Sequence, residues 1–186
     1  MAEKPEKIEE TKRYIHLSGE INEQLSKEFI NSLLKLELDK PSEDILIIIN
    51  SFGGSIHALW SIIDCINLCR CRVHTLCLGK AMSAGAIILM SGAKGCRYIA
   101  PNANVMLHKI QSGNSGDFDT VQNQVRELER LQKQLDSYIA SRTRIKKSEV
   151  ETILSRELYL SPEDALKKGI VDRIIKSFSE IDIKKW

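Results

Sequence analysis

The sequence predicts an α/β domain built around a mainly parallel sheet. The segment "ILIII" at Ile45–Ile49 is a continuous apolar run, and "RVHTLCL" at Arg72–Leu78 reads as a second buried strand. Such runs mark strands covered on both faces, which is typical of parallel sheets. Each run is followed by small or turn-forming residues and then by apolar residues at helical spacing. Strand, turn and helix repeat in this order, and right-handed crossovers then bring the strands side by side. A chain of 186 residues with 42% hydrophobic residues is enough for one domain with a sizeable core.

"RYIHLSG" (Arg13–Gly19) alternates like a half-buried strand, and Leu25, Phe29, Leu33 and Leu36 then follow helical spacing until Pro41. After the Ile45–Ile49 strand, "NSFGGS" (Asn50–Ser55) reads as a turn, and Leu59, Ile62, Ile63 and Ile66 mark the next helix. The Arg72–Leu78 strand leads to a helix near Ser83. "RYIA" and "NVMLH" are short strands around a Pro101–Asn102 turn. A long amphipathic helix runs from Asp117 to about Arg142, with Val121, Val125, Leu128, Leu135 and Ile139 on one stripe. "SPEDALKKG" is a short helix capped by Ser161, with Pro162 in its first turn and Gly169 at its end. Residues 1–12 read as a loosely attached tail and 13–175 as the domain. The extension 176–186 has no assigned element.

Composition narrows the function classes. Lys+Arg is 27 and Asp+Glu is 25, a net charge of +2, so nothing favours nucleic acid or an anionic membrane. The uncharged run Ala81–Ala93 falls short of the about 20 apolar residues a membrane span needs. The N-terminus has no apolar core of a secretory signal. Five cysteines without such a signal read as reduced thiols of a cytoplasmic protein. Cys65, Cys69, Cys71 and His74 lie close together but lack the C-x-x-C pair of common zinc modules. The cysteines read as packed thiols, and no metal or cofactor is expected.

Ligands in such folds meet the loops at the carboxyl ends of strands. Gly53-Gly54, Ser83 and His108 all fall there. Ser83 sits among Ala81, Ala84, Gly85 and Ala86, which leaves room for close approach to its hydroxyl. A serine hydroxyl needs a base to become a nucleophile, and His108 is placed at a strand end before a Gly-containing loop. His16 and His74 lie inside strands, and His57 opens a helix. The backbone N–H groups of Gly54 and Ala84 could receive a developing oxyanion. Gly53-Gly54 could equally be a tight strand-to-helix turn.

Three blocks, "IINSFGGSIHA", "GKAMSAGAIILMSGAKGCRYIAPNANVMLH" and "LYLSPEDALKKGIVDRI", resemble the proteolytic subunit of Clp protease (the ClpP family) and its phage-encoded relatives over about Arg13 to Ile175. The resemblance implies a ClpP/crotonase-type spiral of strand-strand-helix units with a protruding long helix. It implies a serine endopeptidase with Ser83 as nucleophile, His108 as general base, and Gly54 and Ala84 as the oxyanion hole. Glu157 in "ELYLSPEDA" stands where the main family has an aspartate, and some phage relatives also carry glutamate there. Asp172 in "GIVDRI" is the next acid to consider, although by resemblance it is structural. Gly54, Ser55 and Ile56, with Gln111, Ser112 and Gly113, would pair with an extended peptide or unfolded protein substrate. Phe52 replaces the usual proline of the SPGG turn, and Lys109-Ile110 replaces Gln-Pro. The resemblance also implies a homo-oligomer, a heptameric or double heptameric ring, with the long helix at the ring contact. An AAA+ ATPase partner is a further implication, although the family's axial gating segment is longer than the about twelve residues before the first strand here. The other readings are a capsid-maturation protease of phage type, a non-catalytic ring subunit, and an acyl-CoA-binding crotonase-like enzyme.

Overall fold

The computed structural model describes residues 12–113, 115–181 and 183. Five strands form a parallel path: β1 (Tyr14–Ile21), β2 (Ile45–Gly54), β3 (Val73–Met82), β4 (Arg97–Ile99) and, at the far edge, β7 (Arg173–Ile174). The helices between them are α1 (Glu23–Asp39), α2 (Ile56–Leu68) and α3 (Ala84–Ser91). Then come β5 (Asn104–Leu107), the long α4 (Phe118–Arg142), α5 (Lys147–Ile153), β6 (Leu158–Leu160) and α6 (Pro162–Lys167). A short 3-10 turn at Phe178–Glu180 follows β7. The mainly parallel sheet and the long helix agree with the expected fold class.

The alternating faces of the buried strands feed two cores. Ile45, Ile47 and Ile49 pack with α1, α2 and α3 in the larger core. Leu46 and Ile48 point to the other face, where they cluster with Leu76, Tyr98, Ile175 and Ile181. Fully burying an aliphatic side chain of this size contributes about 1.5–3 kcal/mol. The stretch after residue 175, unassigned from sequence, therefore closes the second face of the sheet through Ile181.

Two strands run further than the sequence predicts, and this extension builds the site. The Asn50–Ser55 turn is in fact the end of β2, which continues to Gly54, and β3 continues past Leu78 to Met82. Both strands are irregular at these points. The β2–β3 register shifts between Ile49 and Ser51, and Gly79 has φ +77°. Glycine supplies such a backbone without steric penalty. Beyond that kink β3 changes neighbours: Thr75–Cys77 pair with β4, whereas Lys80–Met82 pair with β5. β5 in turn pairs antiparallel with β6, a strand the sequence did not suggest. The kink thus carries a second small layer of strands away from the main sheet.

The cysteines divide. Cys71, Cys77 and Cys96 are buried, while Cys65 and Cys69 are only partly so. Burial pushes the Cys69 thiol up to about 11 and the Cys77 thiol up to about 12, so both stay protonated at neutral pH. His74 is fully buried, with Nε2 3.0 Å from Asp44 Oδ2 and Nδ1 3.4 Å from the Tyr98 hydroxyl.

Asp172 ties β7 to β4. Arg97 donates to it from Nε (2.9 Å) and Nη2 (2.6 Å), and the Gly95 N–H donates at 2.8 Å. Burial raises the carboxyl's pKa, but the Arg97 hydrogen bonds and charge outweigh it and hold it below the ordinary carboxylate value. Asp172→Asn is expected to lower stability at pH 7 by about 2–3 kcal/mol, because the Arg97 guanidinium would be left largely buried without its counter-charge. A carboxyl with a depressed folded-state pKa contributes stability above its unfolded value of about 3.9 and loses it as pH falls through the folded value. In denaturant titrations, the gap between wild type and Asp172→Asn should therefore be full at pH 7 and close below about pH 4.

Candidate active site

Ser83 stands at the abrupt junction of β3 and α3. Its backbone has φ 51° and ψ −122°, and it is the one positive-φ non-glycine among the described residues. Such a conformation costs on the order of 1–3 kcal/mol and persists only when neighbours impose it. Here Ser83 N–H donates to Met106 O (2.8 Å) on β5, and its carbonyl accepts from Ala86 N–H (3.0 Å) in α3. Although Ser83 precedes the helix, its side chain makes no capping hydrogen bond. The hydroxyl instead lies 2.8 Å from His108 Nε2.

The parallel pairing of β3 with β5 explains that contact. Met82 pairs with Met106, so the residues just beyond the two strand ends arrive at the same place. His108 directly follows β5, and its ring turns back over Ser83. When the imidazole is neutral and its proton is on Nδ1, the serine O–H donates to Nε2. Nδ1 is buried and has no hydrogen-bond partner among the described residues. A buried donor left unpaired costs about 1–3 kcal/mol.

Glu157 does not engage that nitrogen in this structure. It is exposed, and its Oε2 accepts from the Tyr159 hydroxyl at 3.0 Å. Its placement is nevertheless close to the histidine. In the antiparallel β5–β6 ladder Leu107 pairs with Leu158 and Met106 with Tyr159. One step further along the same register sets Glu157 opposite His108. Directly opposed residues have Cβ atoms about 4.5–5.5 Å apart. Asp172, the alternative acid, is committed to Arg97 and lies outside this cleft.

The glycine pair has two separate functions. An added Cβ on Gly53 (φ +102°) would sit 2.7 Å from Ser83 Cβ and 2.8 Å from Met82 O. On Gly54 (φ +152°) it would collide with Ile21 O in β1. Gly53 therefore lets β2 press against the serine junction, and Gly54 lets it press against β1. Gly53 N–H donates to Ser51 Oγ at 3.0 Å, and that buried hydroxyl in turn donates to Gly19 O at 2.5 Å.

Ser83, His108 and Glu157 open onto one cleft of about 830 Å³. Gly54, Ser55, Ile56 and Ala84 line one side, and Gln111, Ser112 and Gly113 another, so the expected triad, oxyanion-hole and peptide-pairing residues all reach it, whereas Asp172 does not. Other contributors were not nominated from the sequence as site residues. Leu128 and Leu131 of α4 form an apolar wall. Gln132 Oε1 accepts the Ile110 N–H (2.9 Å) and fixes the segment that leads to Gln111. Phe52 is exposed at the rim, with the Lys80 ammonium 3.9 Å from its ring centroid. The sequence marked Phe52 as a departure from proline, but nothing local announced its cationic partner.

The arrangement pairs a hydroxyl with a base beside a strand edge and a helix N-terminus, which suits acyl transfer. A family model described as Clp protease matches residues 6–178.

Proposed function

Because the chain belongs to the Clp protease family, a family of peptidases, we propose that it is a serine endopeptidase acting on peptides or unfolded proteins. The observation that carries this reading is the 2.8 Å approach of Ser83 Oγ to His108 Nε2 at a strained strand-to-helix junction inside the cleft. In the proposed mechanism His108 Nε2 takes the Ser83 proton as Oγ attacks the scissile carbonyl carbon. The C=O electrons move onto oxygen, and the N–H groups of Gly54 and Ala84 accommodate that charge. Gly53 N–H is already donated to Ser51, which makes Gly54 the better candidate of the pair. Ala84 opens α3, where an N–H has no intrahelical partner. The imidazolium then protonates the leaving amine as the C–N bond breaks, leaving an acyl-enzyme. Water, deprotonated by His108, hydrolyses that ester and restores Ser83. Glu157 is the proposed third member. Gly54–Ile56 and Gln111–Gly113 would flank an extended peptide as added strands, which gives backbone recognition with little side-chain selectivity.

Fluorophosphonate labelling with mapping of the modified residue tests the reading directly. Modification of Ser83 is expected. An unlabelled chain would favour a non-catalytic ring subunit, and acyl-CoA binding without labelling a crotonase-like enzyme.

Assembly into a heptameric or double heptameric ring is part of the same proposal. The stripe on α4 splits: Leu135 and Ile139 are buried, together with the neighbouring Leu131, whereas Val125 is exposed, as is Phe118 at the start of the helix. The exposed half supports a contact between copies at this helix. Sedimentation should accordingly report a mass many times the 21.1 kDa of one chain, and a monodisperse, fully active monomer would contradict it. An AAA+ ATPase feeding such a ring and a cytoplasmic location complete the proposal. Among the described residues, no helix is long and apolar enough to cross a membrane.

A further inference from the structure

The Glu157 carboxylate accepts from the Tyr159 hydroxyl, while the buried His108 Nδ1 has no hydrogen-bond partner among the described residues. We propose that Tyr159 is a positioning residue that holds Glu157 away from His108 in the resting enzyme and so limits the fraction of sites with a complete triad. The inference rests on the Ser83–His108–Glu157 reading given above.

Three observations carry it. His108 Nδ1 is buried and unpaired, although Nε2 already engages Ser83. Continued one residue beyond the Leu107–Leu158 pair, the β5–β6 register brings Glu157 opposite His108, and both residues line the same cleft. Glu157 and Tyr159 are two residues apart on β6 or just before it, so both side chains leave the same face of the strand. The glutamate is thus bordered by two donors, and in this structure it takes the phenol, at 3.0 Å.

Tyr159 is exposed, so its hold on the carboxylate is weakened by water and can be exchanged. The stronger pull comes later. When Ser83 loses its proton the imidazole becomes a cation, and a carboxylate facing Nδ1–H stabilises that cation. A site whose acid rests on Tyr159 must first make this exchange, and turnover scales with the fraction that has made it.

Other charges facing the cleft are already committed or lie on different elements. Glu127 on α4 pairs with Arg130 at 2.7 Å, and Lys109, beside His108, pairs with Glu151 at 3.6 Å. Among the described residues, His57 at the start of α2 is the remaining ionisable group on the lining.

The test is the pH–rate profile for a fluorogenic short peptide amide, measured on wild type, Tyr159→Phe, Glu157→Gln and the double variant. Removing the phenol hydroxyl is expected to raise kcat about threefold to tenfold. It should also move the acid limb of the profile to higher pH, because a freed carboxylate favours the imidazolium of the resting enzyme. In the Glu157→Gln background, Tyr159→Phe should change neither quantity. An unchanged profile in Tyr159→Phe overturns the inference. So does a loss of turnover with Ser83 labelling retained, or an equal gain in the Glu157→Gln background. Failure of wild type to label at Ser83 is a separate outcome, which sinks the serine-peptidase reading itself.

Discussion

Ser83→Ala is expected to reduce hydrolysis of a peptide ester or amide by about four to six orders of magnitude, and to abolish fluorophosphonate labelling. The fold should survive almost unchanged. A serine at this place could have been a helix cap, whose loss costs about 1 kcal/mol. The hydroxyl makes no such bond, so even that loss is not expected. Alanine also keeps the Cβ, and with it the strain of φ 51°. Ser83→Gly separates the two contributions. Glycine adopts positive φ freely, so this variant should be as inactive as alanine yet more stable by about 1 kcal/mol. A gain in melting temperature on removing the nucleophile would mean that the sequence accepts strain to aim one oxygen. Undiminished hydrolysis in either variant would rule out the assignment.

The same residue illustrates how far the sequence could be read. Ser83 and His108 were legible because both follow short apolar runs, and loops at the carboxyl ends of parallel strands converge. Their small neighbours and the Gly-containing loop after His108 were visible locally. What escaped was the path between them. "NSFGG" reads as a turn by its residue types, yet it continues β2, because the glycines absorb irregular backbone while Ser51 stays paired with Ala81. "LYL" is three residues long, too short to show a period, and its pairing with β5 is decided by residues about fifty positions away. Glu157 therefore had no local signal and entered through family resemblance alone. The Tyr159 contact could not be anticipated at all, since it depends on which rotamer the glutamate adopts along that strand.

Glu157→Gln should lower turnover about a hundredfold to ten-thousandfold while leaving the fold and the Ser83–His108 contact in place. The carboxylate's proposed task is to accept Nδ1–H, which fixes the tautomer with Nε2 free for the serine proton, and then to balance the imidazolium. An amide keeps the shape but supplies no charge, and it can present its NH₂ group to Nδ1, which favours the wrong tautomer. Stability should change little, because Glu157 is exposed and its one described hydrogen bond is to an equally exposed tyrosine. Glu157→Asp should fall between the two. It retains the charge, but its shorter reach must span the same gap across β5 and β6, and a misplacement of about 1 Å can cost on the order of a hundredfold. Because the base acts as neutral imidazole, activity should decline on the acid side in all three proteins. Wild-type turnover in Glu157→Gln would leave His108 without this acid. Asp172 could not replace it, since both its oxygens are held by Arg97 on another edge of the sheet. Among the described residues Glu127 is the other carboxylate lining the cleft, and Arg130 already holds it. The site would then work as a serine–histidine dyad, with the buried Nδ1–H solvated by water rather than charge.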